Sequence, residues 1–307
     1  MRGERGIALL NALIMVAAIA ALAAGLMIEA GRSHDRMAHV SSSQQAALHL
    51  DTALLLVDPV LRADWRRAPE LDHLNEAWAR APLDADIGRG RMVARLADLQ
   101  GRFNVNSLVN ASDAGAARGF ERLLRGLGLP VSLGSEIAGF LQPRGPVRPG
   151  DYAARPVPVR VQGGAVDRVE ALRLVRGMTE EYYARLVPFV ATLPLRTPLN
   201  VNTAPAEVLG ALLPAATPAD AARLVAERAV TPFADMADFE ERARRLIHPG
   251  VVAQAQAPAG GFAVSTRWFE AEVDLHLDGR VYRRILTLER SPEDGAALIA
   301  HRRMVLP

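Results

Sequence analysis

The sequence predicts an α+β protein in which a long N-terminal helix leads into an antiparallel sheet that a large all-α segment interrupts. Three observations carry this reading. Apolar residues recur at helical spacing through about the first 60 positions. A period-two pattern appears near residue 92, and strict polar–apolar alternation follows after residue 268. Between those stretches lie short helical patterns separated by Pro and Gly. With 307 residues the chain can bury one large core or two modest ones.

Met1-Arg-Gly-Glu-Arg-Gly6 is a short basic leader, and over residues 7–28 Asn11 is the one strongly polar side chain. As a helix rising ~1.5 Å per residue, that run reaches about 33 Å, matching a bilayer core of ~30 Å. Three readings fit: a secretory signal peptide cut near Ala21-Leu22-Ala23, a plain membrane anchor, or a type IV pilin-like leader cut between Gly6 and Ile7. The run exceeds an ordinary signal-peptide apolar region and lacks a polar segment before the cut, which weighs against the first. Beyond it, Val40, Ala47, Leu50, Leu54, Val57 and Leu61 share one helical face. One long helix is expected, weakened at Pro59.

Residues 62–90 read as polar and irregular. Residues 91–108 read as a hairpin: Met92, Ala94 and Leu96 alternate with Val93, Arg95 and Ala97, Gln100-Gly101 turns, and Phe103 and Val105 return. Ala117, Phe120, Leu124 and Leu127 then share a helical face that Gly128 and Pro130 stop, and Leu133, Ile137 and Phe140 mark a second helix. Residues 143–163 read as a loop. Further helices are expected over 169–176 and around Met178, Tyr182 and Leu186. Thr203 is expected to cap a helix with Pro205 in its first turn, and Thr217-Pro218-Ala219-Asp220 is a capping box. Residues 248–261 read as a loop. Phe269, Ala271, Val273, Leu275 and Leu277 then alternate with acidic residues and His276, Asp278-Gly279 turns, and residues 280–289 pair back. Neither hairpin is stable alone, so both are expected in one sheet with the helices inserted.

Composition narrows the function. The charges, 36 Lys+Arg against 34 Asp+Glu, nearly cancel, and every cation is Arg. Without Lys there is no P-loop or Schiff-base lysine, and without Cys no thiol nucleophile or thiolate metal site. The seven His show no metal-ligand spacing, and GxSxG and complete GxGxxG motifs are absent. These absences lean against an enzyme.

The leader, the segment Asp98-Leu99-Gln100-Gly101-Arg102-Phe103-Asn104-Val105-Asn106 and the segment Leu199-Asn200-Val201-Asn202-Thr203-Ala204-Pro205-Ala206-Glu207-Val208-Leu209 follow one another in an order that resembles one family. The chain resembles the protein K family of type II secretion systems, the large minor pseudopilins, over nearly its whole length, including the closing hairpin and Arg290. That resemblance implies a pilin-like α/β domain with a large helical insertion. It divides the chain into a leader at 1–6, a transmembrane helix at 7–28, the first part of the pilin-like domain at 29–108, an inserted helical domain at 109–258, closing strands at 259–290 and a tail at 291–307.

It also implies a single-pass inner-membrane protein with its soluble domain in the periplasm. The prepilin peptidase would cut after Gly6, leaving Ile7 as a usually N-methylated terminus. The protein would sit at the pseudopilus tip with minor pseudopilins I and J, above the major pseudopilin. Asn11 is then the fifth mature residue, where most pilin-like proteins carry a Glu that neutralises the preceding subunit's ammonium within the membrane. Protein K lacks that Glu, so Asn11 agrees with the family. Calcium binding is a further implication of the resemblance, without assigned ligands: Asp84-Ala85-Asp86-Ile87-Gly88 lacks an EF-hand's later ligands, and Glu270, Glu272 and Asp274 also suit an ordinary charged strand face.

The rival is a membrane-anchored DNA-binding or DNA-uptake protein, because residues 199–247 also resemble a helix-hairpin-helix module. Its hairpin, Leu213-Pro-Ala-Ala-Thr-Pro-Ala-Asp220, has no Gly to present backbone N–H groups to phosphate, so no nucleic-acid partner is expected. A hydrolase would need distant Ser, His and Asp, without a local motif. Asn104, Asn106, Asn200 and Asn202 are read as local caps and turns, and Arg242, Arg244 and Arg245 as a solvated face.

Overall fold

A computed structural model describes residues 3–146, 148–247 and 260–305. Helix α1 (Gly3–Asp51) and helix α2 (Ala53–Arg67) form one nearly continuous rod. Its interruption lies at Thr52, whose N–H and hydroxyl both turn back onto the His49 carbonyl, and not at Pro59. Pro59 stands on the exposed face of α2, where the carbonyl it leaves without an N–H partner faces solvent.

Ala46, Leu50, Ala53, Val57 and Leu61 form the buried stripe of this rod, every third or fourth residue. Each large member stabilises by roughly 1.5–3 kcal/mol on burial. Towards the N-terminus that packing ends: Ile14, Val16, Ile19, Leu22, Leu26 and Ile28 are between 57% and 69% exposed. Among the described residues no helix is long and apolar enough to cross a membrane.

The stripe packs on a five-stranded antiparallel sheet in the order β1-β2-β7-β8-β9. Its strands are β1 (Leu83–Ile87), β2 (Gly90–Asp98), β7 (Trp268–Leu277), β8 (Arg280–Arg290) and β9 (Ala297–Val305). The alternation in β7 holds as expected, burying Phe269, Ala271, Val273, Leu275 and Leu277. Asp278 and Gly279 form the two-residue turn to β8, both with positive φ (50° and 76°). Trp78, in the short helix α3 (Ala77–Arg80), meets Phe269 edge-on at 5.2 Å.

Both expected hairpins contribute to this one sheet, but the first is drawn differently. Strand β2 pairs back with β1 across Gly88-Arg89, so residues 62–90 hold the end of α2, α3 and a strand. After Asp98 the chain leaves the sheet. Phe103–Asn104 (β3) pairs in parallel with Val190–Ala191 (β4) instead of returning along β2. Gln100-Gly101 therefore makes no hairpin turn. Gly101 lets two backbones meet, since a Cβ there would lie 2.9 Å from the Thr203 carbonyl carbon. Gly101→Ala is expected to destabilise the chain by about 1–3 kcal/mol, read as a lowered melting midpoint. The expected tail also differs: residues 297–305 form the edge strand β9, with a register irregularity opposite Thr287/Leu288.

β2 and β7 are neighbours paired from Gly90↔Leu277 to Asp98↔Phe269, so residues 99–267 are inserted between adjacent strands. The insertion comprises two modules, each opened and closed by short strands that pair in parallel. The first runs from β3 through a 3₁₀ turn (Val105–Val109), α4 (Ala114–Gly126), α5 (Ser132–Leu141), α6 (Gly150–Ala153) and α7 (Glu180–Leu186) to β4. The second runs from β5 (Leu199–Asn200) through α8 (Ala206–Leu212), α9 (Pro218–Val230) and α10 (Met236–Leu246) to β6 (Phe262–Ala263), which pairs in parallel with β5. Their shared core includes Phe103, Phe120, Ile137, Leu209, Phe233 and Phe239.

Several local expectations hold, among them the Thr217/Asp220 capping box, the second helix around Ile137 and the loop after Leu141 apart from the single turn α6. Others shift. Ala116 is buried in place of Ala117, and 169–174 is a 3₁₀ helix. Pro205 occupies the cap position of α8, because the Thr203 hydroxyl is committed elsewhere. Of the loop expected at 248–261, residues 248–259 lie outside the described residues.

Candidate functional site

The joint between sheet and insertion is a buried polar knot. Asp98 ends β2 and points inward by the strand's alternation. One carboxylate oxygen accepts from the Gln100 N–H (2.6 Å) and the Thr266 hydroxyl (2.7 Å). The other accepts from the Thr203 hydroxyl (2.6 Å) and the Asn200 amide (3.0 Å). Burial pushes the Asp98 carboxyl up, and these four donors oppose that.

Arg290 ends β8 on the same inward face and is 2% exposed. One guanidinium nitrogen donates to both Asp72 oxygens (2.7 and 2.6 Å) and to the Thr266 carbonyl (2.7 Å), while another reaches Asp64 at 3.2 Å. Asp72 also accepts from the Thr266 N–H at 2.7 Å and donates its own N–H to the Val264 carbonyl. The Asn200 amide bridges the Asp72 carbonyl (3.1 Å) to Asp98. Rod, sheet and insertion thus meet on one hydrogen-bonded set.

The paired asparagines do more than cap locally. In each pair the first accepts the N–H of the second through its side-chain oxygen, as a local turn would. Beyond that, the Asn106 amide pairs with both the N–H and carbonyl of Val166, and Asn202 does the same with Phe233. Asn104 reaches Leu193 and Pro194. Asn104, Asn106 and Asn202 each substitute for a strand neighbour and pin a distant segment of their module. Nearby, the buried Arg228 donates to the Val201 and Ala204 carbonyls, and burial lowers it to about 10.

Three carboxylates (Asp64, Asp72 and Glu76) gather within 4.8 Å of one another. Their donor set does not fit calcium. Arg290 occupies both Asp72 oxygens and one of Asp64, and one Glu76 oxygen accepts from the His73 N–H and the Trp78 indole. The other acidic candidates are also paired with cations: Asp84 with Arg91, Glu270 with Arg102, Glu272 with Arg283, and Asp274 with Arg95 and Arg283. β1 and its turn to β2 take the place of an EF-hand-like loop at 84–88.

Of the expected solvated arginines, Arg244 and Arg245 are exposed, but Arg242 is not. It lies over the Phe233 ring at 4.3 Å, donates to the Thr231 carbonyl and meets Glu227 and Asp238. The N-terminus of α9, where a helix-hairpin-helix protein would take phosphate, is filled by the Asp220 carboxylate of the capping box. That negative charge opposes an anion. Gly6, Ile7 and Asn11 lie on the backbone of α1, and their side chains are outside the described residues. Sequence reasoning missed Asp64, Asp72 and Thr266. Asp98, Gln100, Asn200, Thr203 and Arg290 carried a signal, through their place in the family-like segments.

Two descriptions of the family "Type II secretion system (T2SS), protein K" match the chain, at residues 101–195 and 199–261. These spans coincide with the two asparagine-pinned modules. The chain is 33% identical to the type II secretion system protein K of Pseudomonas aeruginosa, covering 99% of this chain and 93% of that protein. It is 29% identical to the protein of that name from Klebsiella pneumoniae, covering 77% and 78%. Its fold is similar to a chain in the crystal structure of the GspK-GspI-GspJ complex from the enterotoxigenic Escherichia coli type 2 secretion system. The TM-score is 0.70 at 19% identity, covering 90% of this chain and all of that one.

Proposed function

The chain belongs to the protein K family of type II secretion systems, and from that premise we propose that this minor pseudopilin initiates the periplasmic pseudopilus and caps its tip. As a pseudopilin it is a structural, periplasm-facing component of secretion. The observation that carries the tip assignment is the insertion of residues 99–267 between two adjacent strands. Such a bulk on the head of a pilin-like subunit leaves little room for another subunit above it.

The working parts follow in chain order. The apolar run at 7–28 anchors the chain in the inner membrane, supported by its described apolar side chains from Leu13 to Ile28, which are exposed. The prepilin peptidase cuts between Gly6 and Ile7, and methylation of the new N-terminus follows. The freed helix packs against those of minor pseudopilins I and J, and the assembly sits above the major pseudopilin. Work for extension comes from another protein, since this chain has no Lys for a nucleotide loop.

Asn11 supports the first-entry role. A Glu at this position would neutralise the ammonium of a preceding subunit inside the membrane, where an unpaired charge is costly. A subunit that enters first meets no such ammonium. Asn11→Glu is expected to leave cleavage at Ile7 intact and lower secretion, measured as exported protein per cell. Unchanged secretion would remove the charge argument and leave the steric one.

Intact mass and N-terminal sequencing of the protein extracted from its membrane test the processing. A chain starting at Ile7 with one added methyl group is expected. A start near Gly25, or an uncut Met1, would overturn the assignment.

A further inference from the structure

The polar knot holds more acid than base. Asp64 on α2, Asp72 in the following loop and Glu76 at the start of α3 converge within 4.8 Å, and the guanidinium of Arg290 is the cation among them. The flanking charges do not close this gap. Arg67 and Arg80 also line the adjoining cavity, where Arg67 opposes the rise at Glu76, and Asp98 behind Asp72 adds a further carboxylate. His73 accepts the Asn75 N–H through Nδ1 while its Nε2 lies 3.8 Å from Glu76, and burial lowers it, favouring the neutral ring. Three carboxylates around one guanidinium cannot all ionise cheaply at such distances.

A path for protons is also present. A cavity of about 1030 Å³ beside α2 is lined by Asp64, His73 and Glu76, whereas Asp72 is sealed from solvent. Asp64 and Glu76 therefore exchange protons with water, and Asp72 is coupled to Asp64 electrostatically through the Arg290 guanidinium that both contact.

We propose that this cluster is a proton-operated latch: holding one proton, it clamps the end of α2 to the joint between sheet and insertion, and losing that proton loosens the clamp. The titration belongs to the group as a whole. Burial pushes Asp64 up to about 6 and Asp72 up to about 7, with Arg290 opposing in both, and it raises Glu76 as well. Carboxyls raised in the folded state add stability that is complete below the unfolded value of about 4 and lost as pH rises through 6 to 7. The latch therefore closes in acid and slackens towards neutrality. It goes beyond the tip assignment and does not depend on it.

Hydrogen exchange of the full chain in detergent micelles, from pH 5 to 8 and corrected for intrinsic rates, tests this. Protection over 62–76 is expected to fall by up to about tenfold per pH unit between pH 5 and 7, the slope for one proton. Asp64→Asn and Glu76→Gln are each expected to flatten that slope while the melting transition stays cooperative. Flat protection in the unaltered chain, or slopes in both variants parallel to it, would overturn the latch.

Discussion

Arg290→Ala is expected to destabilise the chain by about 3–5 kcal/mol at pH 7, the usual cost of removing one partner from a buried ion pair. Nothing else in the knot can replace the guanidinium. It donates to Asp72, Asp64 and the Thr266 carbonyl at once, and its removal leaves Asp72, with no solvent exposure, holding only the Thr266 N–H. The loss should be smaller at pH 5, because an uncompensated buried carboxyl takes a proton in preference to carrying charge. Arg290→Lys should recover little, since one ammonium cannot reproduce the fork. A double change to Asp72→Asn and Arg290→Met should be milder than Arg290→Ala, as it removes both charges. Urea unfolding of these chains measures all four effects. A loss under about 1 kcal/mol for Arg290→Ala would mean that the pair is not a determinant of the joint.

The second large effect is expected at Asp98. Asp98→Ala strips the acceptor from four buried donors, and each donor left unpaired costs roughly 1–3 kcal/mol. Two of them have fallback partners, since the Thr203 hydroxyl lies 3.4 Å from the Asn200 carbonyl and the Thr266 hydroxyl 3.4 Å from that of Trp268. The Gln100 N–H and one Asn200 amide hydrogen are left without an acceptor. The net loss should be about 2–6 kcal/mol. It should concentrate where the insertion joins the sheet, so limited proteolysis near 99–102 and 264–267 should accelerate before the sheet itself unfolds. Asp98→Asn keeps one acceptor oxygen and should cost less. Equal protease resistance in Asp98→Ala and the unaltered chain would place the strength of the joint elsewhere.

What the sequence disclosed follows the range of each signal. Local signals were legible: the rod's stripe at Leu50, Val57 and Leu61, the Asp278-Gly279 turn, the alternation of β7 and the Thr217 capping box each depend on neighbours a few residues away. Pairing at long range was not. β1 reads as a polar stretch because Asp84 and Asp86 face solvent, and β9 reads as a tail because its apolar residues do not alternate and its strand identity comes from β8. Asp72 and Arg290 lie 218 residues apart, and a lone Asp between Leu71 and His73 carries no pattern at all. The Asn-x-Asn pairs were conspicuous, yet their amides close onto backbone up to 128 residues away, which no spacing rule reveals. The same commitment explains Thr203, read as a helix cap from its neighbours but turned towards Asp98 in the fold.

The insertion is fixed to the end of the rod through specific bonds: the Asp72 N–H donates to the Val264 carbonyl, the Asp72 carboxylate accepts from the Thr266 N–H, and the Asn200 amide donates to the Asp72 carbonyl.

The most direct test of the tip assignment is the position and number of copies of this chain on a pseudopilus. Pseudopili sheared from cells carrying an epitope on the insertion, and labelled with gold-tagged antibody, should show one label at one end. Labels spaced along the shaft would contradict the account.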